Sequence, residues 1–379
     1  MASALVIGIL TLMPTPTGGD STVGRSLLLT DIVLNVLLFM PFGGGLALTG
    51  RTPVRAALVA ATVSVMIELC QLSWIPGRDA SIHDVVTNTL GGGLGAIIVA
   101  GWGRRAAVWR RLGPAIAAAA VVAWNVGGLL IAPGVPSGNG WYGQWAHEFA
   151  RTTLFPGRIV SFQVRGLPIP DGPIAATDAL QAKLGATDTV RAVVVLTTGR
   201  AFTGRAQLAG VVSPTGGDFL GLWQQGQSVL GFPRLRMTNA GLRGPVFIVR
   251  EAIPEQAGDS VTVSMEWSLR HVTLSAESRI GRKEQRLTLT PEVFWAGFLP
   301  FDYDLGGTNW WISVLAAGAV FFPIGLGLTR RAAWGLGVSV LTLAGGPFLL
   351  GCAASSALTW VLGLAAATCG ILLGRLLRF

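Results

Sequence analysis

Seven apolar segments, at about 27–49, 54–74, 82–102, 114–132, 309–328, 333–351 and 356–374, each approach the length a helix needs to cross a bilayer. An eighth at 2–13 is shorter. Composition agrees: 51% of residues are hydrophobic and 12% are charged, where a soluble domain carries roughly 25% charge. The pattern predicts an α-helical polytopic membrane protein of about eight transmembrane helices.

Between the fifth and sixth of these eight segments the character changes. Residues 133–307 lack long apolar runs and carry 16 Lys/Arg and 14 Asp/Glu, which predicts one soluble domain of ordinary size. The expected organisation is a membrane domain of about five spans over 1–132, an inserted domain over 133–307, and three C-terminal spans over 308–379.

Arginines outside the inserted domain set the expected orientation. Arg51 and Arg55, Arg104, Arg105, Arg110 and Arg111, Arg330 and Arg331, and Arg375 and Arg378 fall on one side if the spans alternate. The positive-inside rule makes that side cytoplasmic, so residues 133–307 are expected outside and the C-terminus inside. The net charge of +9 is mostly this signal. Its dispersal over short loops argues against nucleic acid as a partner. The three cysteines, Cys70, Cys352 and Cys369, lie in or at the ends of spans and give no disulfide framework.

Ionisable groups are expensive in lipid and therefore informative. Asp31 and Asn35 are four apart and share a helical face, as do Glu68 and Gln71, three apart, and Asp84 and Asn88, four apart. With alternating spans all of them come to one depth, near the external leaflet, joined by a turn containing Arg78 and followed by His83. Consecutive helices with short connections pack side by side, so these groups are expected to converge. The plainer reading is that they are interhelical glue worth about 0.6–2 kcal/mol each. Three carboxylates, an arginine and a histidine exceed what glue requires, because each buried ion costs several kcal/mol.

The order of motifs also carries a resemblance. Asn35 stands ahead of FMPFG, and IELCQ (67–71), PGR (76–78) and HDVVTNTLGGGLG (83–95) follow. Residues of about 5–131 thereby resemble the VanZ-like membrane domain, a family named for a factor linked to resistance against glycopeptide antibiotics such as teicoplanin. Its characteristic positions fall here on Asn35, Pro41, Gly43, Glu68, Gln71, Arg78, Asp84, Asn88 and Gly91. The resemblance implies a bacterial cell-envelope location more than a reaction.

The inserted domain reads as an all-β sandwich or jelly roll. Segments 190–198, 244–252, 260–269, 271–278 and 285–291 are rich in β-branched residues, alternate, and are separated by Gly, Pro, Asp and Asn turns. With the aromatic-rich opening at 143–165, this pattern loosely resembles the concanavalin A-like fold in its laminin-G-like branch. Trp141, Trp145, Trp223 and Trp267 are candidates for stacking on sugar rings, against a core or interfacial role. No metal-ligand spacing or nucleophile elbow is present, and no cofactor is expected.

Two functional classes follow. In one, a polar outer-leaflet pocket holds an amphiphile, a lipid-linked glycan or glycopeptide-like ligand. Glu68 and Asp84 act there as acid/base or hydrogen-bonding groups, Arg78 clamps an anion, and Asp31, Asn35, Gln71, His83 and Asn88 orient the ligand. In the other, the chain is a membrane-anchored lectin-like protein for cell-wall glycans without chemistry in the membrane. Membrane lipids are expected partners in both.

Overall fold

In a computed structural model, the described residues are 29–74, 81–101, 106–135, 140–149, 152–175, 177–185, 189–213, 218–298 and 310–376. The short apolar segment at 2–13, the turn holding Arg78 and the side chain of Gln71 lie outside them. Among the described residues seven helices are long and apolar enough to span a membrane. The chain forms two compact units, which divide at residues 110 and 111.

The first unit contains α1 (Leu29–Leu48), α2 (Pro53–Trp74) and α3 (Ile82–Ala100). Without a hydrophobic force between helices in lipid, association depends on close backbone approach at small residues. A Cβ on Gly95 would fall 1.9 Å from the Met40 carbonyl oxygen, and one on Gly43 would fall 1.8 Å from that of Gly92. Glycine at these positions therefore sets the α1–α3 distance. On α2 the buried stripe Ala56, Ala60, Ser64, Ile67 and Glu68 repeats at helical spacing. Its lower part is small, and Ala60 meets Gly92.

The second unit begins within α4 (Ala106–Leu130). This fifth expected span packs against the C-terminal helices. Gly113 lies against Gly327, and Ala120 and Trp124 join Val320, Phe321, Leu343 and Ala367 in one buried cluster. These partners belong to α6 (Trp310–Gly327), α7 (Ala332–Leu350) and α8 (Ala357–Leu376). The middle of α6, Ala317–Phe321, winds as a π-helical turn. There the Phe321 ring meets Trp124 edge-on, with centroids 5.1 Å apart.

Between α4 and α6 lies a two-layer antiparallel sandwich. The strands are β1 (Tyr142–Trp145), β2 (Arg158–Val164), β3 (Leu167–Pro168), β4 (Gly172–Pro173), β5 (Thr189–Thr197), β6 (Arg205–Val212), β7 (Asp218–Gln225), β8 (Ser228–Pro233), β9 (Phe247–Val249), β10 (Ser260–Ser268), β11 (His271–Ser278) and β12 (Gly281–Thr288), with a short helix α5 (Thr177–Gly185). Six form a sheet in the order β4-β1-β6-β7-β8-β9, and six form another in the order β12-β11-β10-β5-β2-β3. Strands β5 and β10 alternate buried and open positions, so Val190, Ala192, Val194 and Leu196 point inward with Val261, Val263, Met265 and Trp267. Trp141, Phe219 and Trp267 stack in sequence through the core, with 5.5 Å between successive centroids.

The sandwich core runs on into the ends of the helices that carry it. Ile131, Leu289, Val293, Phe294, Ile312 and Cys352 belong to the same buried cluster as the strand residues. Glu292, just after β12, is buried and accepts hydrogen bonds from Ser355 Oγ at 2.9 Å, Thr359 Oγ1 at 2.9 Å and Ser356 N at 3.3 Å. The carboxylate thus satisfies donors at the start of α8, where a negative charge is favoured by the helix dipole.

Candidate functional site

The polar residues of the first unit gather at one end of the helix trio. Helix α3 starts at Ser81, whose backbone is extended (φ −128°, ψ 121°) and whose side chain makes no cap bond. Its backbone N–H instead donates to Glu68 Oε2 of α2 at 2.7 Å. A carboxylate from a neighbouring helix thereby does what the glutamate of a capping box does locally. Glu68 is only 7% exposed, so this contact anchors a buried acid.

Asp84 lies in the first turn of α3, and Asn35 Nδ2 of α1 donates to its Oδ1 at 2.9 Å. One turn on, Asn88 Nδ2 donates to Ser64 Oγ of α2 at 2.9 Å. Asn88 is 4% exposed, and its Oδ1 has no hydrogen-bond partner among the described residues. A buried acceptor left unpaired costs about 1–3 kcal/mol. Asp31 is half-buried at the start of α1, one turn before Asn35.

Asn35, Glu68, Asp84 and Asn88 each make a hydrogen bond to a neighbouring helix or its start at this end of the trio. His83 differs: its side chain is exposed, and only its backbone carbonyl takes part, accepting Thr87 Oγ1 at 2.9 Å. Ser64 and Ser81 were missed because serine carries little weight in a scan for charge. The signal for Ser64 was its place four residues before Glu68, on the buried face.

Residues 4–103 match the VanZ/LLP1 family model. The match spans α1–α3 and includes Asn35, Glu68, Asp84 and Asn88. The N-terminal segment of the chain is thus similar to that family, and the seven long apolar helices suit a multi-pass membrane protein. Neither curated proteins nor solved structures matched the chain.

Outside the VanZ-like segment the four tryptophans proposed for sugar stacking separate by environment. Trp141 and Trp267 are fully buried, so their rings offer no face to a ligand; both are corrected to core residues. Trp223 is half-buried, with the Arg205 guanidinium 4.8 Å from its ring centroid and the Phe149 ring 5.5 Å away. Trp145 is fixed by donation from Nε1 to the Ile169 carbonyl at 3.1 Å.

Proposed function

We propose that the VanZ-like unit binds an amphiphile with a polar, anionic head, a lipid-linked glycan or glycopeptide-like ligand, from the outer leaflet. Glu68 and Asp84 are the acid/base or hydrogen-bonding groups of this reading. Arg78 clamps the anion, and Asp31, Asn35, Gln71, His83 and Asn88 orient the ligand. The observation that carries it is the buried Asn88 Oδ1, without a partner among the described residues, in a helix trio that also holds the Glu68 and Asp84 carboxylates.

The outward orientation of the sandwich is supported by the second unit taken alone. Arg330, Arg331 and Arg375 cluster at the end of the bundle where Gly374 meets Thr329. The sandwich joins the opposite ends of α4 and α6. Under the positive-inside rule that basic end faces the cytoplasm.

A second reading is favoured by the bonds themselves: Asn35–Asp84, Ser81–Glu68 and Asn88–Ser64 each tie two helices, which is what interhelical glue does. Glu68→Gln, Arg78→Lys and Asp84→Asn separate the two. On the ligand reading each abolishes the cellular glycopeptide-tolerance phenotype at normal expression and melting temperature. Wild-type tolerance in all three, with intact folding, supports glue alone.

A further inference from the structure

At one end of the sandwich a cavity of about 190 Å³ opens between four connections. They are the approach to β2 at Phe155 and Pro156, the β5–β6 loop, the β7–β8 turn and the β9–β10 loop. The loops are held rigidly. The Thr198 N–H donates to the Asp259 carbonyl at 2.8 Å, and Thr198 Oγ1 donates to the Gln256 carbonyl at 2.7 Å. Ala252 and Ile253 both donate their N–H groups to the Gln227 carbonyl, at 2.8 and 2.9 Å. A Cβ on Gly199 would fall 2.3 Å from the Pro156 carbonyl oxygen, so two of the loops touch backbone to backbone. The cavity is therefore preformed, as small-molecule sites usually are.

Its chemistry is mixed in a particular way. Phe155 and Ile253 are almost fully buried, at 4% and 3% exposure, and with the half-buried Phe202 they make an apolar wall. Gln224, 6% exposed, also lines the cavity; its Nε2 donates to the Gly226 carbonyl at 2.7 Å, while its Oε1 has no partner among the described residues. At the rim Gln227 Nε2 donates to Glu255 Oε1, and Arg200 stands exposed. An apolar wall with the Glu255 carboxylate and the Arg200 guanidinium in the same lining matches a sugar. Its C–H face packs on apolar side chains, and its O–H or N–H groups seek acceptors. The volume is below the roughly 300 Å³ at which drug-sized ligands begin, so it admits a single unit.

We infer that this loop-end cavity binds one saccharide residue of an envelope glycan, its C–H face on Phe155, Phe202 and Ile253, with Arg200 placed for an acidic substituent. The inference stands apart from the membrane site and survives or fails without it. Saturation-transfer NMR on the full-length protein in nanodiscs tests it, with N-acetylglucosamine, N-acetylmuramic acid, galactose, mannose and glucuronic acid as probes. At least one probe is expected to receive saturation from wild type. Its affinity should fall about tenfold or more, the equivalent of ~1.4 kcal/mol, in Phe202→Ser at unchanged melting temperature, and an acidic probe should weaken likewise in Arg200→Ala. Phe202 is half-buried and Arg200 exposed, so neither variant removes a fully buried side chain. No saturation of any probe by folded wild type, or equal saturation by wild type and Phe202→Ser, overturns the inference.

Discussion

Asn35 of α1 donates a 2.9 Å hydrogen bond to Asp84 of α3 across 49 residues of sequence. It joins the first and third helices at the end where Glu68 caps Ser81. A double-mutant cycle of Asn35→Leu and Asp84→Leu, read by thermal unfolding in detergent, should give a coupling energy of about 0.6–2 kcal/mol. Strict additivity would mean the bond does not contribute.

Close approach at glycine gives a sharper contrast. Gly95→Ala places a methyl group 1.9 Å from the Met40 carbonyl oxygen, whereas a Cβ on Gly45 meets nothing within 4 Å. Gly95→Ala should destabilise the protein by about 1–3 kcal/mol, and Gly45→Ala should leave the melting temperature unchanged or raised. Equal effects of the two would contradict the packing described for α1 and α3.

Glu292 ties the end of β12 to the start of α8. Replacing it by alanine strips acceptors from Ser355 and Thr359, and each buried donor left unpaired costs about 1–3 kcal/mol. Glu292→Ala should lower the melting temperature well below that of Glu292→Gln, which keeps one carbonyl acceptor. Thermal unfolding followed by tryptophan fluorescence reads both.

Cys352 is 6% exposed, and burial pushes its thiol above the usual range, against the pull of its own backbone N–H and of Arg270. Since the thiolate is the reactive form, maleimide labelling of the Cys70→Ser/Cys369→Ser variant at neutral pH should be slower than for a free thiol. The rate should rise as pH climbs through the elevated value. Rapid labelling at neutral pH would show that the site is open.

Much of the membrane part was legible because lipid imposes one periodicity and one length. The expected segments at 54–74 and 356–374 became Pro53–Trp74 and Ala357–Leu376. The polar site was legible for the same reason: Glu68, Asp84 and Asn88 stand out where nearly every neighbour is apolar. The partner helix of α4 was not, since Gly113 and Trp124 declare a close contact without saying with what. In the sandwich, β5, β10 and β11 were read from alternation, while β6, β7 and β8 were missed. Strand β6 (RAQLAGVV) is buried along nearly its whole length, so alternation is lost. Small residues such as Gly231, where a Cβ would meet Met265 Sδ at 2.9 Å, replace the β-branched signature.

Native mass spectrometry of the detergent-purified protein, wild type beside Arg78→Ala and Asn88→Leu, tests the central claim most directly. An amphiphile with an anionic, glycan-bearing or glycopeptide-like head is expected to co-purify with wild type and to be lost or strongly depleted in both variants at unchanged folding. Identical spectra for all three, with no bound lipid beyond detergent-exchangeable bulk species, would contradict it.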